Sequence, residues 1–284
     1  LASKVFGEKR YADHGAKILE RFFVNRDTRM KPHLKYGQVR MGQDGNEGAP
    51  TGLIEMKDMY YYLDAVRLIE EAGALSSASS EAFRGWLGTY LKWLLSSRQG
   101  KAERTAENNH GTCYDLQVAA IAAFIGERGV LYDTLARAQS RIAQQFTPEG
   151  AQPDELKRKT TAHYCCFNLQ SWVNLAELGT RWGVDLWNYS TPEGAGLKSA
   201  TRWLLDHAGK PWPYEQIDKF DDERFLPIWF AARERFETSL DVAPLATSPY
   251  EVKPLYFPHD GIRPFWNIGS YGGVEMRDAA LVAD

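Results

Sequence analysis

Apolar residues recur every three or four positions along most of the chain, which is the spacing of one face of an α-helix. The pattern is clear at 11–22, where Tyr11, Ile18, Leu19 and Phe22 form a stripe, and again at 59–69 and 83–94. Strict alternation of apolar and polar positions, which is typical of strands, is nearly absent. The pattern therefore predicts an all-α protein with paired helices, and the further helical stretches lie at about 111–127, 128–146, 161–180, 194–208 and 220–236.

Composition narrows the class of protein. The 284 residues are 44% hydrophobic and 25% charged, as in an ordinary globular protein, and no Gly/Ser-rich linker divides them, so we expect one domain over residues 1–284. A net charge of −3 argues against a nucleic-acid partner. No apolar run reaches the length of a membrane-spanning helix, so no membrane partner is expected. Oligomeric state leaves no signature in the sequence.

The cysteines favour buried thiols over disulfides or metal ligands. There are three, at Cys113, Cys165 and Cys166, and an odd number with an adjacent pair is no disulfide framework. No Cys/His spacing is typical of zinc, and the acidic run DGNEG at 44–48 lacks the terminal ligand of an EF-hand. We therefore expect no metal site and no cofactor.

Polar connections carry the remaining candidates for chemistry. The stretch from Asn25 to Gly52 is rich in Gly and Pro, and loops of that length are usually functional or disordered. It contains Tyr36 and Gln38, which are candidate substrate contacts. The tail from about Thr247 onward, with its Pro-aromatic pairs, is predicted to be irregular.

The segment AENNHGTCYDLQ, residues 106–117, joins a polar loop to an apolar helix. Asn108, Asn109 and His110 therefore lie where a helix start offers free N–H groups and the positive end of its dipole. An amide and an imidazole presented there suit a carboxylate ligand. The alternative is structural: an asparagine caps the helix, and His110 satisfies a buried carbonyl group.

The segment GAQPDELKRKTTAHYCCFNLQ, residues 150–170, makes a second loop-to-helix junction. Arg158 precedes Tyr164 by six positions, and His163 is its neighbour. Cationic neighbours favour the phenolate form of a tyrosine, which suits proton transfer. The alternative is that Tyr164 is a core aromatic residue and that Arg158 pairs with Glu155 or Asp154.

Together the two segments resemble the alginate lyase superfamily, and in particular polysaccharide lyase families 5 and 38. The resemblance rests on NNHG at 108–111, followed by an ELxR-type segment and the helix-opening His163-Tyr164. The runs DTRMKPHLKYGQ and TGL are similar to further blocks of the family, and the likeness covers roughly residues 1–215. Family members usually carry additional N-terminal helices before this point, which we expect this chain to lack.

The resemblance implies an incomplete (α/α) toroid and a lyase that cleaves a β-1,4-linked uronan, either polymannuronate or glucuronan. In the implied metal-independent syn β-elimination, Asn109, His110 and Arg158 neutralise the C5 carboxylate, and Tyr164 acts as base and acid. Tyr36, Gln38, Asn108 and His163 are the implied substrate contacts. The polymeric substrate is found outside the cytoplasm, so a periplasmic or secreted enzyme is expected.

Two other functions stay open at this point. An α/α-barrel glycoside hydrolase needs two opposed carboxylates, and no spacing pairs the available ones, which are Glu55, Asp58, Asp115, Asp154 and Glu155. A non-catalytic uronan-binding protein would have no need for the phenol. Trp212 fits a sugar-stacking platform, although a helix-packing role is favoured.

Overall fold

The protein is all-α over the part that the computed structural model describes, residues 2–236. Within this range there is no strand, and only two isolated β-bridges occur. The predicted class is confirmed, and most predicted helices begin and end within a few residues of the observed ones. The helices are α1 (Ala2–Phe6), α2 (Lys9–Leu19), α3 (Met59–Glu71), α4 (Ser77–Ser96), α5 (Arg98–Arg104), α6 (Asn109–Ile125), α7 (Arg128–Gln145), α8 (Thr161–Arg181), α9 (Leu197–Leu205) and α10 (Phe225–Arg235). The tail predicted to be irregular, from about Thr247, lies outside the described residues.

The described residues form two compact units. The first comprises 2–104 and 117–131, and the second comprises 105–116 and 132–236. The first turns of α6 belong to the second unit, and the rest of that helix belongs to the first. The expectation of one domain over residues 1–284 stays a prediction.

In the first unit, the buried face of α2 differs from the face that the apolar pattern predicted. Its buried positions include Ala12, Ala16 and Leu19, whereas Ile18 and Phe22 of the predicted stripe are each 52% exposed. Small residues bring α2 against α3, since a Cβ at Gly15 would stand 2.9 Å from the Ile69 side chain. The prediction that the stripe at 11–22 forms a buried face is therefore wrong, except at Leu19.

The long polar segment of the first unit folds on itself. It contains two short 3₁₀ segments, Asp44–Asn46 and Pro50–Met56, and the Gly48 N–H donates to the Lys35 carbonyl at 2.7 Å. A Cβ at Gly48 or Gly52 would stand 2.1 or 2.3 Å from the Gly37 carbonyl oxygen. Only glycine permits backbones to approach this closely, so the glycines serve packing here.

The second unit is built around α8, most of which is buried. Trp172 of this helix is completely buried, and α9 and α10 pack against the same helix. Cys113, Cys165 and Cys166 are buried thiols outside any disulfide, as predicted. Burial raises the pKa of the Cys166 thiol above its ordinary range. No helix within residues 2–236 combines the length and the apolar character needed to cross a membrane.

Candidate active site

The start of α6 carries the Asn-Asn-His-Gly run, and Asn108 is its cap. The Asn108 side-chain oxygen accepts from the His110 N–H at 3.2 Å, and its backbone oxygen accepts from the Gly111 N–H at 3.0 Å. This is the hydrogen-bond pattern of a helix N-cap. The capping role considered for an asparagine is thus observed at Asn108. His110 follows in the first turn and is half-buried.

Gly111 makes room for a buried ion-pair cluster. A Cβ at this position would stand 2.1 Å from both the Ala106 carbonyl oxygen and the Arg141 guanidinium. That guanidinium donates to the Ala106 carbonyl and, at 2.8 Å, to the fully buried carboxylate of Asp115. Arg137 binds the same carboxylate at 2.7 Å. The cluster fixes the loop that leads into α6.

Asn109 is completely buried and is held by one carboxylate. Its backbone N–H donates to Oε1 of Glu155 at 2.7 Å, and its side-chain Nδ2 donates to Oε2 at 2.9 Å. Burial raises the pKa of Glu155, and the hydrogen bonds from Asn109 lower it less than burial raises it. The Asn109 Oδ1 is buried and finds no hydrogen-bond partner among the described residues.

Arg158 and Tyr164 form the contact that the sequence spacing suggested. The guanidinium carbon of Arg158 lies 3.9 Å from the centroid of the Tyr164 ring, which is a close cation–π contact. The paired-arginine alternative is not observed for Asp154, which instead pairs with Lys157. Among residues 2–236 the Tyr164 hydroxyl has no hydrogen-bond partner. The cation lies over the face of the ring, so this contact does not involve the hydroxyl.

His163 packs beside this pair. Its ring meets the Tyr164 ring edge-on with 5.3 Å between centroids, and it lies nearly parallel to the Phe167 ring at 6.2 Å. The side chain is half-buried. The structure therefore places His163 next to Tyr164, while its role as a substrate contact stays a prediction.

The segment from Trp212 to Gln216 caps α8. The Thr161 N–H donates to the Glu215 carbonyl at 3.1 Å, and the Ala162 N–H donates to Oε1 of Gln216 at 3.0 Å. Trp212 donates from its indole to the Thr161 hydroxyl at 2.7 Å. The helix-packing role favoured for Trp212 is confirmed. Its neighbours in PWPYEQ fix the helix that carries Tyr164.

Gln145 is the centre of a buried hydrogen-bond network that sequence reasoning missed. Its side-chain oxygen accepts from Thr112, Asn168 and Trp172 at 2.9, 3.0 and 2.7 Å, respectively. Its amide nitrogen donates to the Asn108 carbonyl at 2.8 Å. The network ties α7 and α8 to the start of α6. The available signal was an amide residue on the buried side of an amphipathic helix.

Comparison with known families matches residues 1–213 to the family described as alginate lyase. The chain belongs to the alginate lyase family. The resemblance inferred from the NNHG run and the Tyr164 segment is thereby confirmed.

Among solved structures, this alginate lyase family member is similar to a crystal structure of an alginate lyase from Bacteroides ovatus, with a TM-score of 0.79 and 29% identity. The match covers 82% of this chain and 63% of that one, so this chain spans less than two thirds of its relative. The likeness is consistent with the predicted incomplete (α/α) toroid. Comparison with curated proteins gave no match.

The carboxylates of this family member that a hydrolase would need are already engaged. Asp115 is bound by two arginines, and Glu155 is bound by Asn109. In the first unit, Asp58 pairs with Lys57, and Glu55 accepts a hydrogen bond from Gln38.

Two predicted substrate contacts of the family member, Tyr36 and Gln38, belong to the first unit. The Tyr36 ring is 57% exposed, and the Lys35 ammonium lies 5.7 Å from its centroid. The Gln38 side chain donates to Glu55 and accepts from Thr51, both at 2.8 Å. Tyr36 thus presents an open ring, whereas the Gln38 amide is engaged within its own unit. Their contact with substrate stays a prediction.

Proposed function

We propose that this alginate lyase family member is a polysaccharide lyase that cleaves a β-1,4-linked uronan by syn β-elimination. The observation that carries the proposal is the Arg158 guanidinium 3.9 Å from the Tyr164 ring, with the phenol hydroxyl unengaged among residues 2–236. A cation and a phenol, the two kinds of group that such an elimination needs, are thereby held together. The substrate class is polymannuronate or glucuronan, and the enzyme acts in the periplasm or outside the cell, where such polymers occur.

The reaction breaks two bonds at the uronic acid. Tyr164 in its phenolate form removes the C5 proton, and the electron pair of the C–H bond moves towards the carboxylate to give an enolate. As this pair returns to form the C4=C5 double bond, the C4–O4 bond breaks, and Tyr164 gives the proton to the departing O4. In mannuronate and glucuronate the C5–H and O4 lie on one face of the ring, so one tyrosine serves both steps.

Charge builds up on the C5 carboxylate as the proton leaves. We assign its stabilisation to Arg158 and His110, the cationic and imidazole groups at the two helix starts. Electrostatic stabilisation of this kind usually contributes most to catalysis, and losing one donor costs about 10² to 10³ in rate. Asn109 belongs to the same set by resemblance, but its backbone N–H and one N–H of its amide are directed to Glu155, and its side chain is completely buried. We therefore give the direct contacts to His110 and Arg158.

Two other functions are disfavoured by specific contacts. A glycoside hydrolase needs one carboxylic acid and one free carboxylate across the bond that is cleaved. The carboxylates considered for this role are engaged by Arg, Lys or amide groups. A non-catalytic uronan-binding protein has no need for a phenol beside a guanidinium. The lyase accounts for both observations.

One assay separates the three functions. The protein is incubated with polymannuronate, glucuronan or polyguluronate, while ultraviolet absorbance and reducing ends are followed together. A lyase produces both signals, because each cut leaves a C4=C5 double bond conjugated to the carboxylate. Reducing ends without absorbance would indicate a hydrolase, and binding with neither signal would indicate a non-catalytic protein.

A further inference from the structure

Glu155 connects the two helix starts that carry the proposed catalytic groups. Its carboxylate accepts from the backbone N–H and from the side-chain amide of Asn109, at 2.7 and 2.9 Å. Its backbone carbonyl accepts from the Arg158 N–H at 3.2 Å, and its own N–H donates to the Gln152 carbonyl at 3.1 Å. The same residue therefore belongs to the turn that presents Arg158 and contacts the first residue of α6.

The location is costly for a carboxylate. Glu155 is only 1% exposed, and an ionised group removed from water is unfavourable unless it is well paired. Its hydrogen-bond donors are neutral N–H groups of Asn109, and the charge of Arg158 lowers the pKa of Glu155 by less than these hydrogen bonds do. An apolar side chain of similar size would fill the space without this cost. However, an apolar side chain could not accept the hydrogen bonds from Asn109.

We propose that Glu155 is a positioning residue, whose carboxylate clamps Asn109 and so fixes His110 relative to Arg158 and Tyr164. The inference rests on the proposed lyase function. His110 directly follows Asn109, so the clamp sets where α6 begins and where the imidazole is presented. Arg158 lies one turn after Glu155, and its guanidinium lies over Tyr164.

The proposal assigns Asn109 an indirect role. Its side chain has no exposed surface, and its backbone N–H and one N–H of its amide are held by Glu155, so it acts through the clamp and not by touching substrate. Misplacing a catalytic group by about 1 Å can cost on the order of 10² in rate. Breaking the clamp should therefore lower kcat more than it raises KM.

The test exchanges the carboxylate of Glu155 and the amide of Asn109 by substitutions that preserve the size of each side chain. In Asn109→Asp two carboxylates face each other, and we expect kcat to fall about 10²-fold with KM changing by less than about threefold. Adding Glu155→Gln restores a reciprocal pair, because the introduced amide donates to the introduced carboxylate while its oxygen accepts from the backbone N–H at position 109. The double variant should recover most of the lost kcat.

Asp154→Asn is the matched control. It removes the neighbouring carboxylate of the same turn, which binds Lys157 and not Asn109. Alone it should keep the wild-type kcat, and it should not rescue Asn109→Asp. Rescue by Asp154→Asn would overturn the clamp, because general loss of negative charge would then explain the recovery.

Two further outcomes would overturn the proposal. One is an Asn109→Asp variant that keeps the wild-type kcat. The other is a double variant that regains the wild-type unfolding midpoint but not its activity, because Asn109 would then touch the substrate itself. A wild-type protein inactive on every uronan would instead overturn the proposed function, and the positioning role would fall with it. The wild-type measurement therefore separates the two failures.

Discussion

Replacing Tyr164 by phenylalanine separates a catalytic tyrosine from a packing one. The change removes only the hydroxyl, which has no hydrogen-bond partner among residues 2–236, and it retains the ring beneath the Arg158 guanidinium at 3.9 Å. The free energy of unfolding should therefore change by no more than about 0.5 kcal/mol. Loss of proton transfer should lower kcat by about 10² to 10⁴, which is roughly 2.7 to 5.5 kcal/mol of activation free energy.

The assay is the initial rate of absorbance increase on the best uronan substrate, with urea unfolding of the same preparations. Tyr132→Phe is the matched control in the same unit, because the Tyr132 hydroxyl donates to the Trp182 carbonyl at 3.2 Å. That hydrogen bond is partly exposed, so its loss should cost up to about 1 kcal/mol of stability. We expect the control to lose stability and keep activity, and Tyr164→Phe to do the opposite.

Two results would refute this reasoning. If Tyr164→Phe kept more than about a tenth of the wild-type kcat, the phenol could not be the proton carrier, since the smallest typical contribution is about 10². If activity and the unfolding midpoint fell together, the hydroxyl would have a structural role.

Four other measurements test the rest of the site. Gly111→Ala should lose about 3 to 5 kcal/mol in urea unfolding, because the new Cβ displaces Arg141 from the buried Asp115. His110→Ala should lower kcat more than it raises KM, since carboxylate stabilisation matters most as charge develops. Burial raises the pKa of Glu155 above its ordinary value of 4.5. The stability that Glu155 contributes is therefore present below pH 4.5 and is lost as pH rises through the raised pKa. In Glu155→Gln, the free energy of unfolding should no longer show this dependence on pH. The rate should be unchanged by chelator and higher on mannuronate or glucuronate polymers than on polyguluronate; loss of activity restored by calcium would contradict the metal-independent mechanism, and a guluronate preference would contradict the single-tyrosine scheme.

Periodicity predicted the helices because each buries one apolar face over several turns. The helix expected at 161–180 is observed at Thr161–Arg181, and the one expected at 128–146 at Arg128–Gln145. The same criterion failed for most of α2, whose contact face combines Leu19 with alanine and glycine. Small residues carry little hydrophobic signal, yet they permit the closest helix approach. Pattern analysis therefore misses interfaces of that kind.

The candidate site was predictable where its parts are neighbours in sequence. Arg158 and Tyr164 lie on one short segment, and their contact follows from that spacing. The partner of Asn109 was not predictable, because Glu155 is brought to it only by the fold. Gln145 was missed for the same reason, since its four hydrogen bonds reach α6 and α8. Polar contacts between residues that are far apart in the sequence produce no periodic pattern in it.

The four residues of the NNHG run have different roles, and these roles decide how strongly the motif indicates a catalytic function. Asn108 caps α6, Asn109 is clamped, and Gly111 makes room for a buried guanidinium. Three of the four residues therefore serve to build the start of α6. His110 is the fourth, and the other three determine where its side chain is placed. A protein could keep the run for structural reasons alone and lack the reaction. The chemistry therefore depends on the second segment, where the Tyr164 hydroxyl has no hydrogen-bond partner among residues 2–236, and activity should be most sensitive there.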